Sequence, residues 1–89
     1  MARIIDGTNM NLIGTRVKKI RIQKHMSQQE VSNKLELLGV YVCRGSMSRI
    51  EDLSRTVTDM ELYALSIVLD VPVEQLFDEE LIMQKYKLH

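Results

Sequence analysis

Met26-Ser27-Gln28-Gln29-Glu30-Val31-Ser32 reads as the opening of a helix. Ser27 and Glu30 stand in capping-box spacing: the serine oxygen accepts from the N–H three residues on, and the glutamate reaches back to the serine N–H. Met26 and Val31 flank the box where a hydrophobic staple sits. Thr58-Asp59-Met60-Glu61 repeats the device between Val57 and Leu62. Two such starts in 89 residues make the chain a succession of short helices.

Working outward, Ile13, Val17 and Ile20 fall on one helical stripe, so a first helix is expected from about Leu12 to Lys24, with Asn11 as its cap. The second continues from Ser27 through Val31, Leu35 and Leu38, and Gly39 ends it. A short third helix lies between Cys43 and about Leu53, with Met47 and Ile50 turned inward. The fourth buries Leu62, Leu65 and Leu69 and ends near Asp70. Pro72, the single proline, suits the first turn of another short helix through Leu76 and Phe77. Residues 78–89 extend that helix or form a tail.

Composition agrees with one all-α domain: 45% apolar, 27% charged, and only Tyr41, Tyr63, Phe77 and Tyr86 aromatic. Aliphatic side chains and methionine must fill the core. Cys43 is the single cysteine, which rules out an intrachain disulfide and leaves a Cys/His metal site short of ligands. A reducing cytoplasm is the expected compartment. No apolar run approaches the ~20 residues of a membrane span, and Met1 to Asn11 lacks a signal-peptide core.

Net charge is zero, but its distribution is uneven. Residues 1–26 carry six basic side chains against Asp6, residues 27–58 balance four against four, and residues 59–89 carry seven acids against Lys85 and Lys87. Polyanion binding follows local potential rather than net charge. Taken alone, this polarity reads as charges that solvate helix faces.

The ordered set Ile13-Gly14, Val17, Ile20-Arg21, then Met26 to Ser32, then Ser46-Met47-Ser48-Arg49-Ile50-Glu51 resembles the lambda-repressor/Cro-type helix-turn-helix family, the XRE-type transcriptional regulators. The resemblance covers Leu12 to Phe77. It implies a compact five-helix domain over residues 12–77, with an N-terminal arm over 1–11. It further implies sequence-specific binding of double-stranded DNA with the third helix in the major groove, a homodimer, and no enzymatic activity. No cofactor, metal, membrane or small-molecule ligand is expected. A protein-interaction module of the antitoxin or adaptor kind, built on the same fold, is the alternative.

The resemblance carries over residue by residue. Val31, Leu35, Met47 and Ile50 match positions that lock the second and third helices together, and Ser32 a position that must be small. Arg21 and Glu51 match an ion pair between the first and third helices. Gln28, with Gln29 beside it, matches a phosphate-binding position at a helix start. Cys43 matches the cap of the recognition helix. Arg44, Gly45, Ser46 and Arg49 match its base-facing turns, where arginine can donate two hydrogen bonds to guanine. Arg55 is expected at a phosphate, and Arg3 in a reaching arm. A thiol at a helix start also has a lowered pKa as a rule, so Cys43 is either a redox sensor or a small substitute cap.

The sequence departs from the family in places. Twelve positions separate Leu35 from Met47, a longer connection than the family's tight turn. The surplus falls within Glu36 to Val42, and an added turn of helix, Gly39 and a short loop are expected to absorb it. His25 and Leu53 stand where glycine is common, and Asp52 sets a carboxylate beside the DNA face.

Overall fold

The computed structural model describes residues 9–86. Five helices form in order: α1 (Gly14–Gln23), α2 (Gln28–Leu37), α3 (Arg44–Glu51), α4 (Asp59–Leu69) and α5 (Glu79–Tyr86), with a 3₁₀ turn at Val73–Leu76. No strand occurs among the described residues.

Both capping boxes are closed. The Ser27 oxygen accepts from the Glu30 N–H at 3.0 Å while Glu30 accepts from the Ser27 N–H at 3.1 Å. Thr58 and Glu61 exchange the equivalent bonds at 3.1 and 3.0 Å. Each satisfies amides that a helix start leaves without intrahelical partners.

The first helix departs from expectation. It starts at Gly14 rather than Leu12, and Asn11 caps it from upstream. The Asn11 Oδ1 accepts from the Ile13 and Gly14 N–H groups at 3.0 and 2.7 Å. Its Nδ2 donates to the carbonyls of Ile50 and Arg55 at 3.0 and 2.9 Å. Asn11 is therefore a buried tie between the start of α1 and the end of α3, not part of an arm. Arg3 lies outside the described residues.

The long α2–α3 connection is resolved by a loop. α2 stops at Leu37, and Gly39 adopts φ +80°, a left-handed conformation that glycine takes without steric cost. The N–H groups of Gly39 and Val40 then close onto the carbonyls of Glu36 and Leu35. From there the chain runs to Val42, which is buried in the core, and the buried Ser32 hydroxyl donates to the Val42 carbonyl. Leu38, expected on the inner face of α2, is instead 47% exposed, because the helical period ends one residue before it.

Val17 and Ile20 of α1, Val31 and Leu35 of α2, Met47 and Ile50 of α3, and Leu65 and Leu69 of α4 share one core with Ile13, Val42, Ala64 and Leu76. Leu62 and Phe77 pack only partly against it. Three helix ends close through non-glycine residues in the left-handed region: His25 (φ 57°), Leu53 (φ 66°) and Asp70 (φ 55°). Pro72 lies just before the 3₁₀ turn rather than within it. α5 is a separate helix with its own start: Asp78 accepts from the Leu81 N–H at 3.0 Å and from the Thr15 hydroxyl, and the Asp78 N–H donates to the Leu12 carbonyl at 2.9 Å. These bonds fasten α5 to the beginning of α1.

Candidate nucleic-acid interface

Glu51, at the end of α3, has a side chain only 3% exposed. Its Oε2 accepts from Arg21 Nε at 2.6 Å, and its Oε1 from Arg21 Nη2 at 2.9 Å and Gln28 Nε2 at 3.0 Å. Arg21 Nη1 donates to the Met26 carbonyl at 2.8 Å. One carboxylate thus joins α1, the α1–α2 turn, the first residue of α2 and the last of α3. A guanidinium fork matches a carboxylate in plane, and a buried charge must be compensated in this way. The network fixes how the starts of α2 and α3 face one another.

Met47 and Ile50 anchor α3 in the core, so the helical period turns Arg44, Gly45, Ser48 and Arg49 outward, and all four are exposed. Gln28, Arg44, Gly45 and Ser48 line a cleft of about 370 Å³ between the two helix starts. The positive ends of helix dipoles and free amide groups make such a place attractive to anions.

Arg49 is held in place. Its Nη2 donates to the Ser46 hydroxyl at 3.1 Å, and its Nη1 lies 3.8 Å from where a Cβ on Gly45 would stand. The guanidinium lies back along α3 over the glycine. Ser46, expected to face bases, is half-buried and serves to orient Arg49. Ser48 takes the outward place, one turn after Arg44. The spacing of Arg44 and Ser48, four apart on a helix whose Met47 and Ile50 point inward, was the signal that identifies it.

The other expected residues fall elsewhere. Gln29 lies on the exposed side of α2, its Nε2 donating to Asn33 Oδ1 at 2.9 Å, and does not line the cleft. Arg55, expected at a phosphate, has its guanidinium engaged by Glu61: Nη1 donates to Oε1 at 2.9 Å and Nη2 to Oε2 at 2.7 Å. Nη1 also donates to the Thr56 carbonyl. Arg55 secures the second capping box, and its charge is already compensated there. The pair holds the Glu61 carboxyl below its ordinary value, through the Arg55 hydrogen bonds first and the Thr58 N–H after them. The Asp52 carboxylate is occupied by Ser54, which donates through its N–H at 3.1 Å and through its hydroxyl.

Cys43 occupies the N-cap position of α3 in extended geometry, with no side-chain cap bond. The thiol is exposed and donates weakly to Ser46 Oγ at 3.5 Å. As a thiolate the sulfur accepts instead, from the Ser46 hydroxyl first and the Ser46 N–H next, which draws its pKa below the usual thiol value. Among the described residues, no group of three or more His, Cys, Asp and Glu side chains could hold a metal ion, and no helix is long and apolar enough to cross a membrane.

Among the described residues, five helices without strands, and two consecutive helices held by a buried carboxylate so that the second shows a polar outer face, define a lambda-repressor-like helix-turn-helix domain. The likeness to solved structures is one of fold. The chain is similar to the restriction-modification controller protein C.AhdI from Aeromonas hydrophila, at 25% identity and TM-score 0.64, over 73% of this chain and 91% of that one. It is also similar to the DNA-binding domain of BldD, at 23% identity and TM-score 0.65, over 83% of this chain and all of that domain. No protein-family model and no curated protein matches the sequence.

Proposed function

We propose that the chain is a sequence-specific double-stranded DNA-binding protein that regulates transcription, acting as a homodimer in the cytoplasm. The observation that carries this reading is the outer face of α3. Arg44, Gly45, Ser48 and Arg49 are exposed on a helix whose orientation is fixed by Glu51, beside the anion-attracting start of α2. The likeness to C.AhdI, a restriction-modification controller, and to the DNA-binding domain of BldD supports it.

In this reading α3 enters the major groove, and Arg44 and Arg49 donate to base edges. Gly45 lets the backbone approach, Ser48 adds a short polar contact, and Gln28 with the α2 amides holds a phosphate. Gln29 is at most a flanking contact, and Arg55 acts by positioning Glu61. Two copies on two half-sites read more sequence than one domain can.

Selection from randomised duplexes, followed by fluorescence anisotropy across a salt series, tests the proposal. Each neutralised phosphate contributes a slope of about −0.9 in log K against log salt. An enriched half-site and a clearly negative slope are expected despite zero net charge. No enrichment and a flat slope would overturn it. The alternative, a protein-interaction module, draws on a different observation: an apolar groove between the end of α2 and α4.

A further inference from the structure

Arg21 and Arg55 each set their charge against a buried carboxylate. Arg49 is held differently. Among the described residues no carboxylate stands at ion-pairing distance from it, and the acceptor that fixes it is a neutral hydroxyl, Ser46 Oγ, 3.1 Å from Nη2. Residues three apart share a helix face, and long side chains on a helix lean toward its N-terminus, so α3 itself brings the guanidinium back to Ser46. Gly45 leaves the path open: Nη1 lies 3.8 Å from where a Cβ would stand. The Ser46 oxygen has two lone pairs. Arg49 takes one, and the Cys43 thiol, at 3.5 Å, takes the other. Ser46 therefore has no lone pair left for a donor on a base.

We infer that Ser46 is a specificity-determining positioning residue that touches no base: by holding Arg49 Nη2, it selects the one edge of the guanidinium that faces the groove. This rests on the DNA-binding reading above and concerns how Arg49 serves it. A guanidinium can grip guanine O6 and N7 by either of two edges, Nε with Nη2 or Nη1 with Nη2. Nη2 belongs to both, and its two hydrogens point one along each edge. Giving one hydrogen to Ser46 closes one edge and leaves the other. That edge is set in one orientation before DNA arrives, so less rotamer freedom is lost on binding. Because Ser46 is uncharged, Arg49 keeps its whole positive charge for the duplex. Loss of the hydroxyl should leave the attraction to DNA in place and blur the choice of base.

Two measurements on the full chain test this, the first without DNA. Nuclear magnetic relaxation of the Arg49 Nε–H is compared in wild type, Ser46→Ala and Ser46→Thr, with circular dichroism to check the fold. Wild type and Ser46→Thr, which keeps the oxygen, should show an ordered Nε–H, and Ser46→Ala a mobile one. Equal mobility in wild type and Ser46→Ala overturns the inference. The second measurement compares the selected half-site with the same site changed at the base pair whose preference Arg49→Ala relaxes. Ser46→Ala should lose about tenfold of that discrimination, a part of what a bidentate arginine supplies, and bind random duplex within about twofold of wild type. Ser46→Thr should recover most of the loss. In an Arg49→Ala background, Ser46→Ala should change nothing further at that base pair, because the two side chains act as one. Ser46→Ala weakening every duplex alike would make the hydroxyl a phosphate contact and overturn the inference. An effect that survives without Arg49, or an Arg49→Ala that relaxes no preference, also overturns it. A wild type that selects no sequence defeats the DNA-binding reading and this role with it. A wild type that selects one, with Ser46→Ala discriminating equally well, defeats the inference alone.

Discussion

Replacing Gly14 by alanine should destabilise the protein severely, although glycine-to-alanine changes in helices ordinarily help. A Cβ at Gly14 would stand 1.9 Å from the Ile50 carbonyl oxygen and 2.9 Å from both the Ile50 carbonyl carbon and Leu53 Cδ2. The oxygen is backbone at the end of α3 and cannot swing away. α1 and α3 would have to separate by more than an ångström. The same oxygen accepts from Asn11 Nδ2 at 3.0 Å, so separation threatens that buried bond as well. Overpacking costs roughly 1–3 kcal/mol, and a stranded buried amide about 1–3 kcal/mol more. Helix propensity returns at most about 1 kcal/mol. A net loss of about 1–5 kcal/mol is expected, from a total that for this length is on the order of 4–13 kcal/mol. Gly45→Ala is the control. It is exposed in the first turn of α3, and the nearest atom to its Cβ would be Arg49 Nη1 at 3.8 Å, so stability should hold or rise by up to about 1 kcal/mol. Urea unfolding followed by circular dichroism measures both. If Gly14→Ala unfolds within about 1 kcal/mol of wild type, the close α1–α3 contact is wrong. The proposed interface adds a second readout: Gly45→Ala should bind duplex DNA more weakly while being no less stable.

Glu51→Ala should lower stability by about 3–5 kcal/mol, because it strands the guanidinium of Arg21; a melting temperature within a degree or two of wild type would mean that the network does not hold the helices. Acid should destabilise the fold through Glu61 and Asp78, whose carboxyls are held below their ordinary values, Glu61 first by its hydrogen bonds from Arg55 and Asp78 first by that from Thr15. For such lowered groups the stabilisation is complete above the unfolded values, 4.5 and 3.8, and is lost as pH falls through the lower folded values. Glu61→Gln should therefore flatten the stability–pH curve as pH falls below 4.5, and an unchanged curve would count against the Arg55–Glu61 pair. On a panel of half-site variants, Arg44→Ala and Arg49→Ala should each relax one base preference, worth roughly 1–3 kcal/mol. Gln28→Ala should weaken all sequences alike, and Arg55→Ala should lower stability more than it changes the salt slope. Arg44→Ala weakening every duplex by one factor would remove Arg44 from the bases.

Much of the architecture lies in local sequence. Ser27 with Glu30 and Thr58 with Glu61 set two helix starts within three residues each, and Gly39 stops α2. The Arg21–Glu51 pairing entered through family resemblance, since no local rule joins residues 30 apart. Asn11 shows the limit of local reading: it sits beside α1 and looks like its cap, but half of its bonds go to the carbonyls of Ile50 and Arg55, 39 and 44 residues away. Arg55 looked free because Glu61, six residues on, is reached only across the loop that precedes α4.

The sequence alone determined helices α1 to α4 and their order, because caps, glycine stops and apolar stripes act over three to four residues; α5 it left open. It also determined the polar composition of α3. Only the tertiary structure decided that Val42 turns into the core while Leu38 turns out. The same packing made Ser48 rather than Ser46 the outward serine, and committed Arg55 to Glu61. Each of these depends on where a second element stands, and a side chain's neighbours across the fold, unlike its neighbours along the chain, exist only once the helices have packed.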